Sequence, residues 1–287
     1  KVLDNTVTPM GARLLKRWMV FPLRDIKAIN ERLDTVEYFI KETDLSKTLV
    51  HHLKQTGDLE RLVSKIPLRK INPREVMQLA CSLQQVQAVQ ALLANSSSDY
   101  LLRLHEKLDP CLPLLDRILN EITDTPPVQV NKGGVIKDGV NAELDELRNI
   151  ATKGKDYLLQ LQQRESEATG IPSLKIAFNN VFGYYLEVTN THKNKVPDRW
   201  MRKQTLANAE RYITPELKEY ESKILDAQEK IVEIERRLFA ELRSAIAGEA
   251  RRIRQTALVL AELDVLASFA HIATLRNYCR PQFDDSS

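Results

Sequence analysis

The sequence predicts a mainly α-helical protein with one small β-rich segment inserted into it. Three observations carry that prediction. Nine glycines in 287 residues are too few for the Gly-rich loops of an α/β enzyme, while Leu, Ala, Glu, Lys, Arg and Gln, which lose little rotamer freedom in a helix, are abundant. Apolar residues keep alternating spacings of three and four over long stretches, the mark of helices with one buried face. Only the stretch SLKIAFNNVFGYYLEVTN, residues 173–190, changes to a period of two.

In chain order, residues 6–50 read as two helices. Thr8-Pro9 supplies a start for the first and Pro22 closes it; the second runs from Arg24 to Lys41 with Ile26, Ile29, Leu33, Val36 and Ile40 on one face. More helix follows, punctuated by Pro67, Pro73, the polar loop Asn95-Ser96-Ser97-Ser98-Asp99, Pro110 and Pro113. Residues 123–139, TDTPPVQVNKGGVIKDG, are a break holding one or two short extended pieces.

The strongest pattern begins there. Leu144, Leu147, Ala151, Gly154, Leu158, Leu161, Glu165 and Ala168 keep three-four spacing, and so do Leu217, Tyr220, Ile224, Ala227, Ile231, Ile234 and Leu238. These are two coiled-coil seams flanking one β insertion, with Gly154 and Glu165 as weak points of the first. A chain that leaves along one and returns along the other pairs them antiparallel; about 24 paired residues would reach about 36 Å. The insertion is a hairpin, with Leu174, Ile176 and Phe178 alternating on one strand, Asn179-Asn180-Val181-Phe182-Gly183 at the turn, and Tyr184, Leu186 and Val188 on the other. Thr214-Pro215-Glu216 opens the return helix, Thr214 as cap and Pro215 where no N–H is lost. A last helix, about 249–277, ends before Pro281, and its LVLAELDVLASFAHIA reads as a return into the core begun by the first residues.

Composition narrows the function classes. The net charge is +3, from 42 Lys plus Arg against 39 Asp plus Glu, so any electrostatic footprint is local. Cys81, Cys111 and Cys279 are odd in number and scattered, which fits free thiols in a reducing, cytoplasmic setting. No apolar run approaches the roughly 20 residues of a membrane span, and no membrane partner is expected. The chain opens on Lys1-Val2-Leu3 and reads as a piece of a longer polypeptide. His51 and His52 are adjacent and diverge by about 100° on a helix, so they do not form an i, i+4 metal pair. Arg251, Arg252 and Arg254 read as a solvated helix face. No His, Cys or carboxylate cluster supports a metal or an acid/base pair, and no phosphate-cradling G-x-x-x-x-G-K-[ST] loop is present. The chain is therefore not expected to be an enzyme.

One local footprint stands out. Between Thr191 and Thr205 lie Lys193, Lys195, Arg199, Arg202 and Lys203 against the single anion Asp198. Thr191, Asn194, Gln204, Thr205 and Asn208 add neutral donors. At the end of a helical stalk this chemistry suits nucleic-acid phosphates, which Lys and Arg bind by releasing counterions and amides help to position. Exposed loops also carry such residues for solubility alone. Trp200, Tyr184 and Tyr185 offer ring faces, although aromatics in small sheets more often fill the sheet's own core than stack on bases.

Six stretches together resemble the bacterial MutS DNA mismatch repair family: LDNTVTPMGARLLKRWMVFPL (3–23), GDLERLVSKI (57–66), GGVIKDGVNAELDELR (133–148), IPSLKIAFNNVFGYYLEVTN (171–190), QTLANAERYITPELKEYESKI (204–224) and LAELDVLASFA (260–270). The resemblance covers nearly the whole chain in order. It implies a helical core or lever domain over 1–141 and 233–287, with a clamp domain, coiled-coil stalk and β tip over 142–232. It also implies partners: double-stranded DNA gripped by its backbone without sequence preference, and a second subunit of the family closing a ring around it. No cofactor is expected in this chain; ATP and Mg would belong to an ATPase domain outside it, as would the mismatch-reading domain. Phe239-Ala240-Glu241 matches the reader's Phe-x-Glu pattern in letters but lies on the return helix and is not credited with that role. On the segment matching the clamp, phosphate contacts are expected from Lys193, Asn194, Lys195, Arg199, Arg202, Lys203 and Thr205, with Asn208 and Arg211 as outer members. For Thr191–Arg199 this rests on charge, because that loop carries little of the resemblance. Two other readings stay open: a MutS paralogue that grips recombination intermediates, and a purely structural coiled-coil module.

Overall fold

The computed structural model describes residues 2–68, 70–179 and 181–283; Lys1 and Asn180, the latter part of the expected turn, lie outside the described residues. The elements are α1 (Pro9–Val20), α2 (Ile26–Lys41), α3 (Thr43–Gln55), α4 (Leu59–Ser64), α5 (Pro73–Leu93), α6 (Asp99–Lys107), α7 (Leu112–Glu121), α8 (Ala142–Thr169), β1 (Lys175–Asn179), β2 (Gly183–Thr189), β3 (Met201–Thr205), β4 (Ala209–Ile213), α9 (Pro215–Gly248) and α10 (Ala250–Arg276). They divide into two compact units. One takes the residues up to Val130, Gly134–Lys137 and those from Leu238 on; the other takes Asn131–Gly133 and Asp138–Arg237.

The first unit is built around α10. Ile253, Leu260, Leu263, Leu266, Ala267 and Ile272 are buried, and the helix packs against α1, α2, α3, α4 and α6. By length and composition α10 is, among the described residues, the helix able to cross a membrane, which corrects the expectation that no segment is so apolar. Its Ala- and Leu-rich surface is turned inward instead, as in a core helix that is apolar nearly all round. The ends of the other helices are fixed by short polar side chains. The Thr8 hydroxyl accepts from Gly11 N–H at 2.9 Å, with Pro9 at the first helical position. Asn72 and Glu75 cap α5 reciprocally.

A buried carboxylate ties α1 to α10. Asp264, 1% exposed, accepts from Val7 N–H at 2.9 Å, Thr8 N–H at 2.8 Å and the Thr8 hydroxyl at 2.6 Å. Burial pushes its pKa above the ordinary carboxylate value, the Thr8 and Val7 bonds acting the other way. Gly11 faces it so closely that an added Cβ would stand 2.7 Å from Asp264 Cγ.

Residues 6–50 form three helices rather than two. Glu42, at φ −91° and ψ 63°, breaks the rise between α2 and α3, and its N–H bonds Tyr38 O at 2.8 Å. Past the break Leu49 and Leu53 are fully buried, and no Pro or Gly marks it. Within 123–139 the extended pieces reduce to one bridge, Ile122 with Ile136, and a 3-10 turn at Val130–Lys132.

In the second unit α8 and the first part of α9 touch along pairs whose numbers rise on one helix as they fall on the other. Arg148 meets Glu235 at 2.6 Å, Tyr157 stacks on Tyr220 with centroids 3.7 Å apart, and Arg164 meets Glu216 at 2.6 Å. The helices therefore run antiparallel. Gly154, expected to weaken this face, leaves room for Ile224 of α9: a Cβ there would lie 2.5 Å from Ile224 Cγ1. Leu144, Ala151, Leu158 and Leu161 are buried as the spacing predicts, while Ala168 is exposed.

The insertion is a four-stranded antiparallel sheet of order β1-β2-β4-β3, not a lone hairpin. Leu186 pairs with Ile176 on one side and Tyr212 on the other. This row shares a face with Val188 and packs with Leu158, Leu161, Ile171, Leu174, Trp200 and Leu217 into one core. At the β1–β2 turn Gly183 takes φ +75° and leaves room for Glu221 of α9, whose carboxylate accepts from Tyr184 N–H at 3.2 Å.

Candidate nucleic-acid interface

Strand pairing gathers part of the expected patch at one end of the sheet. β2 ends at Thr189, opposite Ala209. The chain then enters a 3-10 turn, Asn190–Lys195, which is clasped to the β3–β4 turn: Asn190 N–H donates to Asn208 O at 3.1 Å and the Asn190 side-chain amide to Ala207 O at 2.8 Å. Lys193 and Asn194 on the first turn thereby sit beside Thr205 and Asn208 flanking the second. All four are exposed. No residue of the sequence pattern pointed to Asn190, whose role depends on a strand pairing invisible in the letters.

The remaining expected residues are placed differently. Arg199 reaches back to α8, where its guanidinium meets Glu165 at 2.6 Å. Arg202 on β3 pairs at 3.5 Å with Glu210 on the neighbouring strand β4, two positions from its register partner Tyr212. Arg211 is half-buried on the other sheet face, donating to Glu187 at 3.1 Å and Gln204 at 2.9 Å while lying 4.3 Å over the Tyr185 ring. Three arginines are thus already neutralised by carboxylates. The Lys195 ammonium donates to Gly170 O at 2.9 Å, a neutral partner that leaves its charge intact. Lys193 and Lys203 have no ion-pair partner among the described residues. Lys203 is the extra residue of a β-bulge, because Arg202 aligns with Tyr212 and Gln204 with Arg211, and bulges re-aim side chains.

Glu165 is the anchor that pattern reading undervalued. It is buried on the apolar face of α8 and accepts from Arg199 and, at 3.3 Å, from Trp200 Nε1. A carboxylate at an otherwise apolar position was the available signal. Trp200 is 4% exposed and tilts against Tyr212 at 5.9 Å, and Tyr185 is buried beneath Arg211. Trp200 and Tyr212 belong to the sheet's core, and Tyr185 is covered on the opposite face by Arg211, so none of the three faces solvent. Burial, reinforced by Glu210, pushes the Tyr212 phenol up to about 12. Among the described cations of Thr191–Arg211, those that can meet an anion without first breaking an ion pair are Lys193, Lys195 and Lys203.

Among the described residues no group of His, Cys, Asp and Glu could hold a metal ion. Cys111 is buried and its thiol is pushed up to about 12 by burial, so it is unreactive. Arg252 of the basic cluster on α10 is paired with Asp109 at 2.6 Å and Glu249 at 2.7 Å.

Comparison with known proteins agrees along the whole chain. A family model described as MutS domain III matches residues 1–270. The DNA mismatch repair protein MutS of Phocaeicola vulgatus is 57% identical over 285 residues, covering 99% of this chain and 33% of that protein. Those of Bacteroides fragilis and Cytophaga hutchinsonii are 54% and 55% identical over 285 and 287 residues, covering 33% and 34% of the relatives. The chain spans about a third of the length of the curated relatives it matches.

Proposed function

Since this chain belongs to the MutS domain III family, we propose that it works in DNA mismatch repair as a part that grips duplex DNA without reading it. In this reading α8 and α9 form a coiled-coil arm, the four-stranded sheet is a clamp, and the helices of the first unit are the lever that couples the clamp to an ATPase domain. The lever would transmit a nucleotide-dependent opening and closing of a ring made with a second subunit. The observation that carries the reading is the exposed end of the sheet, where Lys193, Lys195 and Lys203 keep unneutralised charge beside Asn194, Thr205 and Asn208. Lysines and amides of this kind hold phosphates and carry no base information.

The pairing of Arg199, Arg202 and Arg211 favours a second reading, in which the sheet is a structural module and its arginines serve only its own stability. A salt series with a fluorescent duplex, matched and mismatched, separates the two. If three lysines each neutralise one phosphate and the arginines stay paired, log affinity should fall against log salt with a slope of about −2.7. Recruitment of Arg199 and Arg202 would steepen it to about −4.5. Affinity should be equal for both duplexes, and neutralising Lys193, Lys195, Arg202 and Lys203 together should weaken binding equally for all sequences. Absence of binding at low salt, or full retention of affinity in the quadruple variant, would refute the grip.

A further inference from the structure

One buried carboxylate of the second unit is bonded to the sheet and has a replacement cation waiting beside it. Glu165 of α8, its side chain 9% exposed, accepts through Oε2 from Arg199 at 2.6 Å and from Trp200 Nε1 at 3.3 Å. At its other oxygen, Oε1, Arg164 Nη2 stands 3.7 Å away, too far for a hydrogen bond, while the same nitrogen bonds Glu216 of α9 at 2.6 Å. Glu216 also accepts from the Tyr157 hydroxyl, the largest influence holding its pKa below the ordinary carboxylate value.

Arg199 is placed to leave. Its side chain is 59% exposed, so detaching it returns a largely hydrated group to water. It also borders the lysine cluster: Lys195 is bonded to Gly170 O at 2.9 Å, at the end of the same helix and about 7.5 Å of rise beyond Glu165. What opposes its departure is Glu165, because a buried charge stripped of its partner is strongly penalised. Arg164 removes that obstacle. An approach of about 1 Å brings its Nη2 from 3.7 Å to the length of a charge-assisted hydrogen bond, and Glu216 keeps the Tyr157 hydroxyl. In this second arrangement both carboxylates still have a donor, and Trp200 Nε1 keeps its acceptor.

We propose that Arg199 is an exchangeable member of the DNA grip, passed from Glu165 to a backbone phosphate when the sheet meets a duplex, with Arg164 taking its place on Glu165. This rests on the reading of the sheet as a grip and adds its regulation. As Arg164 turns to Glu165 it releases Glu216, so a cross-link between α8 and α9 is given up when the duplex is taken, and contact at the sheet is felt in the helix pair behind it.

The test is a salt series with a fluorescent duplex on the 287-residue chain in four forms: unaltered, Arg199→Gln, Arg164→Gln and both together. Arg199→Gln should make the log–log slope shallower by about 0.9, the share of one phosphate. Arg164→Gln should do the same, because Glu165 then retains Arg199, and the double variant should lose no more than either alone. An Arg164 that touched phosphate itself would instead give a double loss of about 1.8. Glu165→Gln keeps an oxygen for Trp200 Nε1 and removes the charge that retains Arg199, so in the Arg164→Gln background it should restore the missing step. A merely structural Arg164 would move the urea midpoint and leave the slopes alone. Additive losses, a slope indifferent to Arg164→Gln, or failure of Glu165→Gln to restore it would overturn the exchange while the grip stands. Absence of duplex binding by the unaltered chain would overturn both.

Discussion

Gly11→Ala offers a sharp test of the packing of the first unit. In an ordinary helix interior the change would stabilise by about 1 kcal/mol, because Ala loses less backbone entropy than Gly. Here the new Cβ would fall 2.7 Å from Asp264 Cγ, and Asp264 has no room to retreat without releasing Val7 N–H, Thr8 N–H and the Thr8 hydroxyl. Each hydrogen bond to a charged group is worth about 1.5–3 kcal/mol. Loss of one or two outweighs the helix gain, and a net destabilisation of about 2–4 kcal/mol is expected. The chain holds two tryptophans, Trp18 in the first unit and Trp200 in the second, so a Trp200→Phe background lets Trp18 fluorescence follow urea unfolding of the first unit. With a slope of about 2 kcal/mol/M the midpoint should drop by about 1–2 M. In an Asp264→Ala background the same substitution should do no harm. An increase in midpoint on Gly11→Ala, or an equal loss with and without Asp264, would refute the argument.

Two further outcomes test other contacts. Glu165→Ala should destabilise the second unit by about 2–3 kcal/mol, read from Trp200 in a Trp18→Phe background, because the indole N–H is stranded in a buried position while Arg199 returns to water; a change under about 0.5 kcal/mol would deny Glu165 its anchoring role. The Arg13 guanidinium, bonded to Asp58 at 2.7 and 2.9 Å, holds that carboxyl below its ordinary value against the opposing effect of burial. A folded-state pKa below the unfolded one stabilises above about pH 4 and the stabilisation is lost as pH falls through the folded value. The gap in urea midpoint between the unaltered protein and Arg13→Gln should therefore shrink from pH 7 to pH 2, and a constant gap would contradict this linkage.

Legibility followed the physics that each element uses. α8 and α9 were readable because a buried helix face writes its period into the sequence, residue after residue, from Leu144 to Leu161 and from Leu217 to Ile234. β1 and β2 were readable for the same reason at period two. β3 and β4 were not, because MRKQT and AERYI bury little beyond Ala209 and Tyr212; their order comes from pairing with β2, which no local window contains. The α2–α3 break at Glu42 was hidden because its cause is the direction in which Leu49 and Phe39 must point, not a helix-breaking residue. At the site, charge density identified Lys193, Lys195 and Lys203 correctly as exposed cations, but composition could not separate them from Arg199, Arg202 and Arg211, whose carboxylate partners lie from 8 to 34 residues away in sequence.

The bond between Thr8 and Asp264 spans 256 residues, and it bears on how the chain is made. During synthesis α1, α2, α3, α4 and α6 leave the ribosome without α10, the helix against which they pack, while the second unit, contained almost wholly within Asp138–Arg237, is complete before α10 is translated. At about 5–20 residues per second the early helices wait many seconds for their centre. Their apolar faces are open throughout that interval, and α10 itself emerges apolar enough to be mistaken for a membrane segment. The nascent chain should therefore depend on chaperones during translation more than its finished stability suggests, and the arm and sheet should acquire protease resistance first.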